Sequence, residues 1–192
     1  MPEVLERLER PAHHRFDVDE YYKMTEAGIL KRGQRVELID GEIIDLNAIG
    51  SPHAAITNRL TRFFARLAVN ETALLSVQNP LRLDAFNESV PDFMVLRPRA
   101  DDYRTGHPSA ADVLLLVEVS DSSLPYDRGP KLALYAKFGV PEVWIVDIAG
   151  AAIEIYRKPA EDGYSMTERR TGGSLSPALL AGADVDVAVL LA

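Results

Sequence analysis

Residues 113–117 read Val-Leu-Leu-Leu-Val, five apolar side chains with no polar one between them. Successive side chains of an extended chain point to opposite faces, so a strand with this run needs apolar cover on both sides. That requirement favours a strand inside a layered α/β or mixed α+β domain over an open, one-sided sheet. A chain of 192 residues is long enough to build such a core once, so a single domain spanning 1–192 is expected. No apolar stretch approaches the roughly 20 residues of a membrane span, so no membrane partner is expected.

The neighbouring segments supply the layers. Asp17 is placed to cap a helix carrying Val18, Tyr21, Tyr22 and Met24 on one side, with residues 1–15 read as loose. Asp40-Gly41, between runs 35–39 and 42–46, has the composition of a two-residue hairpin turn with positive φ at both positions. Ser51-Pro52 reads as an N-cap and first-turn proline of a helix reaching about residue 69, with Ile56, Leu60, Phe63, Phe64 and Leu67 as its apolar stripe. Strands are expected at 73–77, 81–83 and 90–96, joining 113–119 in one central sheet. Pro130 is read as opening a second helix that closes near Gly139, followed by a buried strand at 143–146. Runs 151–157 and 164–169 form a hairpin around Glu161-Asp162-Gly163, and the tail 185–191 is an edge strand or an interface. The core is thus expected at 16–157, with 175–192 as a C-terminal extension.

Composition removes several function classes. With no cysteine there are no disulfides, no thiolate metal ligands and no thiol nucleophile. The N-terminus lacks the apolar centre of a secretory signal, and a cytoplasmic location is expected. A net charge of -8 argues against broad adhesion to nucleic acid. Local distribution matters more than the total, because clustered carboxylates at a cation site contribute to that charge. One basic ridge stands out: Arg59, Arg62 and Arg66 share a helix face with no acid between Pro52 and Asn70, a solvated surface or a phosphate-contacting one.

Two carboxylates sit where core strands end. Asp92 follows Val90-Pro91, and Glu118 closes the 113–117 run. A carboxylate among so much apolar surface must be paired, hydrogen-bonded or metal-bound, since bare burial costs several kcal/mol or neutralises it. Phosphodiester hydrolysis uses such pairs, because hard oxygen ligands hold magnesium or manganese. Pairing with arginine is the plainer alternative. His53, near a helix start, and Asp147, closing the strand at 143–146, are supporting candidates, each with a structural reading beside the functional one.

These residues fall within a longer ordered pattern. Val36-Glu37-Leu38-Ile39-Asp40-Gly41-Glu42, Ser51-Pro52-His53, Val90-Pro91-Asp92, Leu116-Val117-Glu118-Val119-Ser120, Tyr126-Asp127-Arg128-Gly129-Pro130-Lys131 with Tyr135, and Gly139-Val140-Pro141-Glu142-Val143-Trp144-Ile145-Val146-Asp147 occur in that order. In this the chain resembles the bacterial Uma family of restriction-endonuclease-like proteins, within the PD-(D/E)XK nuclease superfamily. The resemblance implies a mixed sheet flanked by helices, with Asp92 and Glu118 as metal ligands and Glu37 as a third acid near the metal. The chain departs from the superfamily pattern at Ser120, where Glu-x-Lys would put a lysine on the same strand face as the glutamate. Lys131, read as lying in the first turn of a helix where it would oppose the macrodipole, is the candidate replacement.

The functional expectation is a Mg2+- or Mn2+-dependent endonuclease acting on nucleic acid, DNA in the first instance, as a monomer or homodimer. Its rivals are a nuclease-fold binding or regulatory protein without activity, and a phosphodiesterase of small substrates.

Overall fold

The computed structural model describes residues 13–31 and 33–192. Of the segment read as loose, 1–12 lies outside the described residues. Arg15, by contrast, is tied down: its Nε donates to the Asp40 carbonyl at 2.8 Å, and its guanidinium covers the Phe86 ring at 4.7 Å.

Two sheets carry the fold. The larger has six strands in the order β10-β9-β8-β7-β6-β3, and the smaller has four in the order β2-β1-β5-β4. The strands are β1 (Val36–Ile39), β2 (Glu42–Asp45), β3 (Leu74–Val77), β4 (Leu81–Asp84), β5 (Asn87–Ser89), β6 (Phe93–Leu96), β7 (Val113–Ser120), β8 (Glu142–Asp147), β9 (Ala152–Ala160) and β10 (Gly163–Arg170). Strand β7 is buried along its whole length and pairs parallel with β8 and antiparallel with β6, which makes the large sheet mixed. The expected mixed α+β architecture is the observed one.

Helices cover both faces of the large sheet, as the apolar run in β7 requires. On one face, Leu115, Val117 and Val119 of β7 and Trp144 and Val146 of β8 pack with Ile56, Leu60 and Phe64 of α2 (Ser51–Val69). On the other, Leu116 of β7 and Val143 and Ile145 of β8 pack with Tyr135 and Val140 of the helical crossover between these strands. Glu118 and Ser120 share the parity of Leu116, so both face the crossover rather than α2.

The local signals place most elements where they occur. Helix α1 (Val18–Glu26) starts with a capping box, in which the Asp17 carboxylate accepts from Glu20 N and the Glu20 carboxylate accepts from Asp17 N. The hairpin turn has positive φ at Asp40 and Gly41, and a side chain at Gly41 would collide with Arg15.

Five expectations change. Gly50, not Ser51, is the N-cap of α2. The 90–96 run breaks after Asp92, because Pro91 cannot donate to a sheet ladder, and only Phe93–Leu96 pairs. Strand β4 lies in the small sheet rather than the central one, joined there by β5, whose Asn-Glu-Ser sequence carries no strand signal. Pro130 does not open a helix, for the crossover is already helical from Leu124. The tail is mainly helix, α5 (Val187–Leu191), with Val187 and Leu190 in the α2-side core rather than on an open edge. Among the described residues no helix is long and apolar enough to cross a membrane.

Phe64 is fully buried, stacked on Phe93 with ring centroids 5.7 Å apart and tilted against Trp144 at 6.4 Å. Phe64→Ala is therefore expected to cost about 3–5 kcal/mol, whereas Val69→Ala on the exposed end of α2 stays within about 0.5 kcal/mol. Urea unfolding followed by fluorescence of Trp144, the one tryptophan, checks both values.

Candidate active site

The crossover between β7 and β8 shapes the site. It runs helically over residues 124–137: α3 (Leu124–Tyr126), a π turn (Asp127–Lys131) and α4 (Leu132–Lys137). Pro130 has no N–H to donate, and the widened turn instead sends Leu132 N back to the Asp127 carbonyl five residues earlier. The additional residue puts Tyr126, Lys131 and Tyr135, spaced i, i+5 and i+9, on one side of the segment. In an unbroken α-helix that spacing would carry Lys131 well off the line of Tyr126.

All three side chains converge on two buried glutamates. Lys131 Nζ lies 2.8 Å from Glu118 Oε1 and 3.3 Å from Glu37 Oε2. Tyr135 OH donates to Glu118 Oε1 at 2.6 Å, and Tyr126 OH donates to Glu37 Oε1 at 3.1 Å. Val90 N also donates to Glu37 Oε2, at 3.2 Å. Glu37, on the fully buried β1, is 0 % exposed, although a hairpin strand residue of this kind commonly faces solvent. It is the point where the small sheet reaches the site on the large one.

Asp92 completes the cluster from the segment before β6. Its Oδ1 lies 2.9 Å from His53 Nε2, its Oδ2 accepts from Val119 N at 2.9 Å, and its own N–H donates to Glu118 Oε2 at 3.3 Å. His53 stands in the first turn of α2, and its Nδ1 is buried without a hydrogen-bond partner among the described residues. Asp127, buried in the π turn, accepts from Ser120 Oγ and Ser123 Oγ, each at 2.6 Å. Ser120 therefore anchors the turn that presents Lys131, while the lysine approaches Glu118 from the helix rather than from the strand.

Charge in this cluster is unbalanced. Four carboxyl groups, of Glu37, Asp92, Glu118 and Asp127, lie around the Lys131 ammonium, with His53 beside Asp92 as the one other basic side chain of the cluster among the described residues. Burial pushes the Glu118 carboxyl up to about 8, aided by the charges of Asp92 and Asp127 and opposed by Lys131. Lys131, although burial opposes its charge, is held well above the ordinary lysine range by Glu118, Tyr135 and Glu37. Burial would also raise Asp92, but the His53 contact, the Val119 N–H and the Lys131 charge together lower it.

The acids open onto a cleft of about 300 Å3 lined by His53, Asp92, Glu118 and Lys131, with residues 44–50 and 121–123 as its walls. Among the described residues no three His, Asp or Glu side chains form a ready metal cage. Asp92 and Glu118 nevertheless suit a magnesium-type ion. Such an ion is bound through one or two carboxylates, keeps several waters and takes its remaining ligands from phosphate. A dication would also relieve the surplus of buried negative charge.

The other candidates lie apart. Asp147 accepts from Gly150 N at 2.7 Å and pairs with Arg128 at 3.2 Å, outside the cleft. Arg59 donates to the carbonyls of Leu190 and Ala192, and neither it nor Arg62 nor Arg66 lines the cleft. Asp127, Tyr126 and Tyr135 stand in the sequence pattern without a role, and the structure gives each of them one in the cluster. The i, i+5, i+9 spacing around a helix-internal proline was the signal that connected them to Lys131.

The family described as "Putative restriction endonuclease", Uma2, matches residues 18–188, nearly the whole chain and every residue of this cluster. The chain belongs to the Uma2 family. Among solved structures, the Uma2 chain is similar to one titled a "putative nuclease belonging to DUF820" from Anabaena variabilis. That likeness has a TM-score of 0.70 and 17% identity, and covers 92% of this chain and 97% of the other, a relation of fold. No curated protein matches.

Replacing Lys131 by methionine leaves Glu37 and Glu118 buried without their cation. A loss of about 3–5 kcal/mol is expected in chemical denaturation with chelator present. A loss below about 1 kcal/mol would mean that the ion pairs contribute little to the fold.

Proposed function

We propose that this Uma2 protein is a magnesium- or manganese-dependent endonuclease that hydrolyses phosphodiester bonds of nucleic acid, with DNA as the first substrate to test. The observation that carries the reading is the excess of buried carboxyls: those of Asp92, Glu118 and Asp127 line an open cleft with Lys131 and His53, and Glu37 lies behind the lysine, a cluster that a dication would help to balance.

Asp92 and Glu118 would hold the cation, each offering hard oxygen ligands. Bound there, it would polarise the phosphate and lower the pKa of the attacking water. The protein's own groups prepare the rest. His53 and the Val119 N–H fix the Asp92 carboxylate and keep it ionised. Lys131 lines the cleft with its charge held on by Glu118 and Glu37, a donor positioned for the negative charge that develops on the phosphate. Glu37, gripped by Tyr126 and Val90 N, would keep that ammonium in place if Glu118 served as a metal ligand.

Supercoiled plasmid and labelled oligonucleotides incubated with Mn2+ or Mg2+ test this reading. Wild type is expected to cut. Asp92→Ala and Glu118→Ala should lower the rate at least about a hundredfold while keeping the native circular dichroism spectrum. Undiminished metal-dependent cutting by either purified variant would sink the assignment.

A further inference from the structure

The walls of the cleft bear on what kind of strand reaches the acids. The side chains of Asp92, Glu118, Lys131 and Glu37 are 14%, 3%, 4% and 0% exposed, so the reacting phosphate must enter rather than lie across a surface. The two walls touch each other, with Asn47 Nδ2 donating to Ser122 Oγ at 3.3 Å, and the Arg35 guanidinium is bonded to the Asn47 carbonyl. The resulting space, about 300 Å3, is at the small end of ligand cavities and suits one nucleotide.

The chemistry of the rim points the same way. Ile44, Leu46 and Ile49 supply apolar lining, and Ile49 is 39% exposed at the mouth, a surface for the face of an unpaired base. Duplex binding relies instead on several cations spaced along the phosphates. Among the described residues, Arg35 is the one arginine of the lining, set among Asp45 and Asp121, and the Arg59, Arg62 and Arg66 ridge is elsewhere. Enzymes that act within a narrow pocket take single strands or extrude a nucleotide from the duplex.

We infer that the substrate of this cleft is single-stranded nucleic acid, admitted one nucleotide at a time with its base against Ile49 and its phosphate at Asp92. The inference rests on the nuclease reading for its chemistry, but its binding preference can be measured independently.

The test uses one labelled DNA sequence as a free strand, a blunt duplex and a duplex with an unpaired flap, together with the matching free RNA strand. Each is assayed for cleavage with Mn2+ and for binding by fluorescence anisotropy. Free strand and flap are expected to be cut at least about tenfold faster than the blunt duplex, and bound more tightly. Ile49→Glu should weaken strand binding roughly threefold or more, whereas Ile29→Glu, the same charge change at an exposed position off the cleft, should not. A strand preference in binding without any cutting would support this inference and count against the nuclease reading. Equal cutting and binding of strand and blunt duplex would overturn the inference and leave the nuclease reading standing. Preference for the RNA strand over the DNA strand would support the strand class and replace DNA as the substrate.

Discussion

The Lys131 ammonium between Glu37 and Glu118 ties the small sheet to the large one. Glu37 comes from the small sheet, Glu118 from the large one, and Lys131 from the crossover that lies over both. Removing Lys131 leaves the two glutamates buried without their cation, which is among the more costly changes a core can undergo. The arrangement also carries a standing surplus of negative charge, since Asp92 and Asp127 lie close by. Strain of this kind at a cleft is characteristic of sites that take up a cation.

The fold delivers this cluster by simple means. Parity along β7 separates the α2-facing residues from those facing the crossover and so puts Glu118 and Ser120 beneath the π turn. Pro130 widens the turn by one residue, and Ser120 and Ser123 hold its Asp127 by hydrogen bonds. Lys131 then reaches Glu118 from a helix, at a distance a strand lysine two residues on would cover from the same face. The serine at that strand position thus supports, through Asp127, the turn that carries Lys131.

Much of this was legible beforehand because it rests on local signals. The 113–117 run required a doubly covered strand, Asp40-Gly41 a tight turn, and Asp17 with Glu20 a capped helix, and all three occur. Asp92 and Glu118 stood out as carboxylates beside apolar runs. Other features depended on tertiary partners. Strand β5 is polar and exists because Asn87 and Glu88 find partners in Asp84, Arg82 and Tyr22. The buried Glu37 accepts from Tyr126, 89 positions away, a partner that a hairpin alone cannot announce. Pro130 has the sequence signature of a helix start but lies in a π turn inside a helical segment, and that turn sets where Lys131 stands.

The central claim is that Asp92 and Glu118 form a divalent-cation site balanced against Lys131. Calorimetric titration of the chelator-treated protein with Mn2+ tests it most directly. The account predicts saturable binding with a micromolar-scale Kd that is lost in Glu118→Gln. No heat of binding at millimolar Mn2+, or unchanged affinity in that variant, would contradict it.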